Sequence, residues 1–335
     1  MTHHTPIAVL GLGTLAAPGY GSDSIARAWH TATIPEPAPE WAAAALEVRA
    51  IADFDPSRWL KLRGMRPLSR TSQLACVAAA AALDFPTSLP YDSAAVGVVF
   101  GTRWGSIEPL VDFDRSAAQH GPHLVNPQQF PNVVVNAHAG YLGLLFGLAG
   151  PNMTLCGAGA GMEAICQALD MLALGQADAL LAGGAEGLGM TLLYGMASSA
   201  ATHIPGEGAA LLLLAQEAHA QRPALAHIVS YASVTVSRPA ALEAARYDAI
   251  QGALDGYQIK QLTTVWHAGD TSHVFEKLGC AAQSIRAIQP ITGDCQAATG
   301  AIAAALAVAD VAAGNGPILA TSFPPLGTQS ALLIA

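Results

Sequence analysis

Apolar residues in this chain fall into short runs that alternate with longer stretches of helical periodicity. Short apolar runs between turn signals are typical of buried strands, whereas apolar residues at every third or fourth position indicate helices. The first part of the chain predicts strands at 7–12, 95–100, 153–156, 179–184 and 209–215, and helices at 72–83, 105–118, 133–148 and 162–174.

The same alternation starts again after about residue 218. This second part predicts strands at 228–236, 263–267, 284–287, 318–323 and 330–334, and helices at 239–254 and 297–313. Strands and helices that alternate twice over favour a layered α/β architecture with two related halves. We therefore assign one half to residues 1–217 and the other to 218–335.

One turn between a strand and a helix has the shape of a nucleophile-bearing turn. The predicted buried strand Met153–Cys156 passes through small residues directly into an apolar-patterned helix. This is the geometry by which α/β enzymes raise a reactive side chain above a sheet. The apex reads Gly157, Ala158, Gly159, so no nucleophile stands there.

Composition narrows the classes of function. The chain has 335 residues, 52% of them hydrophobic and 12% charged, which predicts a large core and apolar surface covered by another subunit. A net charge of −9 without a basic, aromatic-rich cluster argues against nucleic acid as a partner. The five cysteines lack metal-ligand spacing, and no signal-like leader is recognisable, which favours a cytoplasmic protein without metal or cofactor. Asp310 within the apolar stretch 297–313 favours a buried helix over a membrane span.

Seven stretches, in order, resemble the β-ketoacyl synthases of the thiolase superfamily. They are IAVLGLGTLAAPG (7–19), VVFGTRWGS (98–106), FPNVVVNAHAGYLGLLFGLAGPN (130–152), LGQADALLAGGAE (174–186), GEGAALLLLA (206–215), ITGDCQAATGAIAA (291–304) and TSFPPLGTQSALLIA (321–335). The resemblance covers nearly the whole chain. It implies a thiolase-like fold, a duplicated α-β-α-β-α layering with two related halves.

The resemblance also implies a chemistry. That family forms carbon–carbon bonds by decarboxylative Claisen condensation between an enzyme-bound acyl thioester and a malonyl group on acyl carrier protein. A cysteine thiolate takes the acyl chain, while two histidines and a nearby lysine promote decarboxylation and stabilise the enolate oxygen.

The family's cysteine position falls on Ala158, and alanine cannot form a thioester. Cys156 lies two residues earlier, which leaves open a displaced nucleophile or a structural thiol in the core. The apolar neighbours Met153 and Leu155, and a place on the strand instead of the turn, favour the buried thiol.

The other catalytic positions have also changed. The family's first histidine lies in a motif whose counterpart here is HAGDTS, residues 267–272. It falls on Ala268 without a gap, or on His267 with one insertion, and a lone histidine at a strand end is also common as a structural residue. The second histidine falls on Asp294 and the lysine on Gln289. Asp294 would put a negative charge beside the developing enolate and so oppose condensation.

Two further segments depart from the family pattern. The sequence PPLGTQ at 324–329 replaces a flexible glycine-rich gate by a stiffer turn. The link between Glu186 and Gly206 is short, which leaves less scaffold for docking a carrier protein. Carrier proteins are acidic, as this chain is, so direct docking should be unfavourable.

These departures resemble chain-length factors, the catalytically silent ketosynthase-like subunits of type II polyketide systems. The short chain is most similar to versions from aryl-polyene and highly reducing polyene pathways. The implied partner is a catalytic ketosynthase, in a heterodimer or heterotetramer, with acyl carrier protein engaged indirectly through that partner. A homodimer remains open, and so does an active condensing enzyme or acyltransferase that uses Cys156 or His267. A nucleotide-dependent enzyme is disfavoured, because no P-loop or complete dinucleotide fingerprint is present.

A chain-length factor supplies one wall of the partner's acyl tunnel, and the resemblance implies which residues would do so. They are Trp104 as a gate, Ile107, Leu110 and Phe113 on the following helix, and Phe130, Val133 and Val134 at the subunit interface. For the helical residues, ordinary core packing is the alternative.

Overall fold

The structure is a computed structural model that describes residues 5–33, 36, 41, 46–198, 203–254, 256–269 and 272–335. Its strands are Ile7–Ala16 (β1), Gly19–Tyr20 (β2), Val96–Thr102 (β3), Asn152–Cys156 (β4), Ala179–Glu186 (β5), Gly208–Gln216 (β6), Ala226–Val236 (β7), Thr264–Ala268 (β8), Ile285–Ala287 (β9), Ile318–Ser322 (β10) and Gly327–Ile334 (β11). Its α-helices are Ser22–Thr31 (α1), Arg70–Leu83 (α2), Ile107–His120 (α3), Ala137–Phe146 (α4), Ala160–Ala173 (α5), Met190–Ser198 (α6), Leu242–Leu254 (α7), Ser272–Lys277 (α8), Gln289–Thr292 (α9) and Ala297–Ala312 (α10).

The strands form one hydrogen-bonded path with a repeated topology. Its order is β4-β3-β5-β6-β1-β7-β11-β10-β8-β9, with β2 paired to β1. Counted outward from the central β1–β7 pair, each half has two antiparallel steps followed by two parallel ones. The connection between β6 and β7 contains the predicted division at 217/218. Since the sheet runs through both halves, that division stays a prediction.

Three large hydrophobic clusters fill the spaces between the layers of strands and helices. The strands of both halves place residues such as Val99 and Trp266 against α5 and α10 in a central layer. Alternate residues of the first half, such as Phe100, pack outward with α2 and α4. In the second half, residues such as Leu333 pack outward with α7 and α8. This alternation follows from the two-residue period of a strand, and it confirms the predicted five-layered arrangement.

Apolar residues cover all sides of α10, which lies in the central layer with every residue from Ala297 to Val308 buried. A helix that is apolar all round fits such a position. Within the described part of the chain, no helix is both long and apolar enough to cross a membrane.

Strand β4 differs from the prediction. Met153–Cys156 was expected to be a buried strand, but Met153 and Cys156 are exposed and the residues between them are half-buried. The reason is topological: β4 stands at the end of the strand order and pairs only with β3 among the described strands. Apolar composition therefore indicated a strand here but not its place at the edge.

The first turn of α5 approaches its neighbours at backbone distance. A Cβ added to Gly161 would lie 2.4 Å from the carbonyl oxygen of Ala297 on α10. One added to Gly101 on β3 would lie 2.2 Å from the carbonyl oxygen of Ala160. Because glycine has no side chain, α5 can pack at backbone distance against both β3 and α10. The turn before α5 is fixed in position as a result.

A buried carboxylate orders the turn after β3. Glu186, at the end of β5, is fully buried. Its side chain accepts hydrogen bonds from the backbone N–H groups of Arg103 (2.7 Å) and Trp104 (2.9 Å) and from the hydroxyl of Thr102 (3.2 Å). Burial raises the pKa of Glu186 from 4.5 to about 7, against the opposing effect of these donors.

We expect Gly161→Ala to lower the free energy of unfolding by about 1–3 kcal/mol, because the backbone of α10 must move to admit the methyl group. The matched control is Gly195→Ala in α6, where an added Cβ meets nothing within 4 Å. That control should be neutral or stabilising by up to about 1 kcal/mol. Urea unfolding of both variants measures the difference, and equal midpoints would contradict the close approach.

We expect the protonated form of Glu186 to stabilise the folded protein more than the ionised form does. Because its pKa is higher in the folded protein than in the unfolded chain, its contribution to stability is fully present below about pH 4.5 and is lost as the pH rises through about 7. In Glu186→Gln this dependence disappears. The stability advantage of the wild type over the variant should therefore shrink as the pH rises from about 5 to about 8.

Urea titrations at several pH values test this expectation. His138, whose pKa burial lowers to about 4, is present in both proteins and cancels in the difference. The exposed Glu276→Gln serves as a control for removing one carboxylate. If the difference in stability between the wild type and Glu186→Gln does not change with pH, the raised pKa of Glu186 is contradicted.

Candidate functional site

A cavity of about 630 Å³ opens where the carboxyl ends of β3, β8 and β10 approach the first turns of α9 and α10. Its size is that of a small-molecule site. Its walls are both polar and apolar. They consist of Arg103, Trp104, Ala158, Met196, His203, Arg246, Ala268, Gly269, Gln289, Asp294, Gln296, Thr299, Ser322, Phe323, Pro324 and Pro325.

Four positions that the sequence singled out meet in this cavity. Ala158 lies in the turn before α5, Ala268 ends β8, Gln289 begins α9 and Asp294 precedes α10. The described lining includes neither cysteine nor lysine.

The two candidate positions for the first histidine, Ala268 and His267, lie in different surroundings. Ala268 lines the cavity, whereas His267 is buried with its ring 5.5 Å from that of Phe275, in the layer outside the sheet. Neighbouring side chains on a strand point to opposite faces. The gap-free alignment, with alanine at the histidine position, therefore fits the geometry. Asp270 and Thr271, from the same motif, lie outside the described residues.

Cys156 is exposed, so the expectation of a buried thiol was wrong. Its Sγ lies 3.6 Å from the carbonyl oxygen of Arg103 at the end of the edge strand, and it is not among the residues that line the cavity. The other four cysteines, Cys76, Cys166, Cys280 and Cys295, are buried.

Asp294 and Gln289 are engaged in hydrogen bonds with their surroundings. The carboxylate of Asp294 accepts from the backbone N–H of Gln296 (2.9 Å), from the side-chain amide of Gln296 (2.8 Å) and from the hydroxyl of Thr299 (3.2 Å). These bonds tie Asp294 to the residue before α10 and to a hydroxyl in the first turn of that helix. The side-chain oxygen of Gln289 accepts from the N–H of Gly269 at 2.9 Å. Both residues contribute to the structure of the cavity wall.

Of the seven predicted tunnel and interface residues, Trp104 lines the cavity and the other six lie outside it. No residue of α3 is buried, but Ile107 packs against a small core cluster that includes Leu188 and Leu193. Core packing therefore accounts for Ile107, whereas Leu110 and Phe113 belong to none of the core clusters among the described residues. Phe113 instead meets Phe130 edge-on, with ring centroids 6.2 Å apart. Leu110, Phe130 and Val134 are exposed and Val133 is half-buried. Their role in a tunnel or an interface stays a prediction.

Sequence reasoning missed several cavity residues, chiefly Arg103, Arg246, Gln296 and His203. Arg103 neighbours Trp104 and could have been found from that position. Arg246 comes from the middle of α7, and only the tertiary fold brings it to the site. Among the described residues, no group of histidine, cysteine, aspartate and glutamate side chains could hold a metal ion.

Comparison with known proteins gives the chain's relationships. The model of the β-ketoacyl synthase N-terminal domain matches residues 20–220. The 3-oxoacyl-[acyl-carrier-protein] synthase 2 of Vibrio harveyi is 34% identical over 140 residues, which are 41% of this chain and 34% of that protein. Nodulation protein E of Rhizobium leguminosarum bv. trifolii is 32% identical over 149 residues, 42% of this chain and 35% of that protein. The matches thus span about a third of these relatives' lengths.

Solved structures match over nearly the whole chain. The ishigamide ketosynthase/chain length factor gives a TM-score of 0.85 at 22% identity and covers 98% of this chain and 99% of its own. A β-ketoacyl synthase from Burkholderia phymatum STM815 gives 0.82 at 19% identity, with 98% and 99% covered. A type II PKS ketosynthase complex with its acyl-carrier protein, bound to the hexaketide, gives 0.78 at 20% identity, with 99% of each chain covered. The fold is therefore the thiolase-like ketosynthase fold, and the chain belongs to the β-ketoacyl synthase family.

Proposed function

We propose that this chain is a catalytically silent ketosynthase-like subunit, a chain length factor. It pairs with an active β-ketoacyl synthase and shapes the acyl or polyene tunnel in type II polyketide synthesis. The observation that carries the proposal is the meeting of Ala158, Ala268, Gln289 and Asp294 in one cavity, where the family resemblance expects a cysteine, two histidines and a lysine.

Chemistry at these positions runs against condensation. Alanine at 158 offers no thiolate to accept an acyl chain. Asp294 brings a carboxylate where an enolate oxygen would need hydrogen-bond donors. The oxygen of Gln289 is already occupied by the N–H of Gly269.

The surface beside β4 supports a partner subunit. Among the described strands only one pairs with β4, so its outer edge is open. Large apolar side chains are exposed on this strand and on the segments that precede it. They include Phe130 (59% exposed), Val134 (41%), Val135 (45%), Leu144 (77%) and Met153 (36%). An open strand edge next to exposed apolar residues is a surface that another chain can complete.

The second candidate is an active condensing enzyme or acyltransferase that uses Cys156. One observation favours it: the thiol is exposed at the end of β4. Against it stands the position of Cys156 outside the cavity lining. His267, the other residue in this alternative, is buried behind the strand.

We expect the isolated protein to take no acyl group from acyl carrier protein and to form no adduct with cerulenin. Iodoacetamide should nevertheless modify Cys156 selectively, because the other four cysteines are buried. Intact-mass spectrometry with Cys156→Ser as the matched variant checks both statements. An acyl adduct present in the wild type and lost in Cys156→Ser would overturn the silent-subunit proposal.

Co-expression with candidate partner ketosynthases tests whether the chain supports synthesis when a partner is present. Carrier-bound products, measured by mass spectrometry, should require both chains and should persist with Cys156→Ser. Product from this chain alone would contradict the proposal.

For the reconstituted pair we expect Trp104→Ala to lengthen the products with little change in total turnover. A large aromatic ring at the cavity wall narrows the space that alanine would open. Val133→Ala and Val134→Ala should shift the product lengths as well. Leu225→Ala, at an exposed site in the connection between β6 and β7, should not. Unchanged lengths in an intact Trp104→Ala pair would remove Trp104 from the tunnel wall.

A further inference from the structure

Two arginines line the cavity, and a glutamine oxygen orients each of them. Arg103 donates from Nη1 to Oε1 of Gln296 at 2.5 Å. Arg246 donates from Nε to Oε1 of Gln329 at 3.2 Å. One arginine comes from the turn after β3 and the other from α7, so both halves of the chain contribute a guanidinium group.

Both glutamines are themselves anchored. The amide nitrogen of Gln296 donates to Asp294 at 2.8 Å. Gln329 is fully buried, and its amide nitrogen donates to the carbonyl oxygens of Pro324 (3.1 Å) and Gly327 (3.2 Å). Each amide group therefore has a defined orientation, with its oxygen towards the arginine.

Aromatic rings further restrict the two guanidinium groups. Arg103 lies over the ring of Trp104 at 5.0 Å from the centroid, and Arg246 lies over Phe323 at 5.9 Å. Such contacts stabilise a cation beside an apolar wall. The two arginines are thus pre-oriented at the cavity, which lowers the entropic cost of binding an anion.

Asp294 lines the same cavity, and its carboxylate faces Gln296 and Thr299. Its oxygens already accept three hydrogen bonds from Gln296 and Thr299. Among the described residues, no carboxylate forms a salt bridge with Arg103. His203 also lines the cavity.

We propose that this cavity binds a small organic carboxylate with a compact apolar body. Arg103 and Arg246 hold the anionic group, and Trp104, Met196 and Phe323 contact the body. Planar guanidinium groups suit carboxylates because they offer paired donors. The inference goes beyond the proposed function and holds whether or not the chain condenses acyl groups.

Benzoate is the test ligand, and benzamide, of the same shape without the charge, is its matched control. Isothermal titration of the full chain should detect benzoate binding, with benzamide at least about tenfold weaker, since charge-assisted hydrogen bonds are the stronger ones. Arg103→Met and Arg246→Met should each weaken benzoate binding by about tenfold to a hundredfold. The control Arg115→Met removes an exposed arginine of α3 that pairs with Asp112 and should leave binding unchanged.

A third ligand, 4′-phosphopantetheine, tests whether the arginines bind a phosphate instead of a carboxylate. Binding of this phosphate through the same arginines, without binding of benzoate, would assign the site to a carrier arm and overturn the carboxylate proposal. Equal affinity for benzoate and benzamide, or no binding of benzoate to the wild type, would also overturn it. The benzoate and benzamide titrations use the wild type, so they decide the matter even if an arginine variant fails to fold.

Discussion

The rest of the structure depends on the backbone contact between α5, α10 and the sheet. Gly161 meets the carbonyl of Ala297, and Gly101 meets that of Ala160, at distances that exclude a side chain. This contact joins the two halves in the central layer and fixes the turn that carries Ala158. The cavity opens beside this contact, with Ala158 from the turn before α5 and Thr299 from the first turn of α10 in its lining. A fold whose centre is packed this tightly tolerates changes at the cavity walls more readily than at the contact itself.

Much of the architecture could be predicted from local pattern. The apolar runs at 95–100, 179–184 and 209–215 correspond to β3, β5 and β6, because strands buried on both faces need continuous apolar residues. The edge position of β4 could not be read in this way. Whether a strand is central or at an edge depends on pairings between distant segments, and Cys156 was misjudged for that reason.

The residues of the candidate site also fall into those that the sequence indicated and those that only the tertiary fold brings together. Family resemblance singled out Ala158, Gln289 and Asp294, which lie together at the cavity, and the lining includes Ala268 but not His267. Arg246 had no sequence signal, since its position on α7 becomes meaningful only when that helix packs against β7 and β11. For α3 the sequence did give a signal, an apolar stripe, but the stripe alone could not show which part of the protein or which partner it contacts.

The open edge of β4 has a consequence for how the protein is kept in a cell. Unpaired N–H and C=O groups beside exposed apolar side chains join strands with little discrimination, so the chain alone is at risk of self-association. Covering that edge would remove this risk, so the concentration at which the protein stays in solution depends on whether the edge is covered.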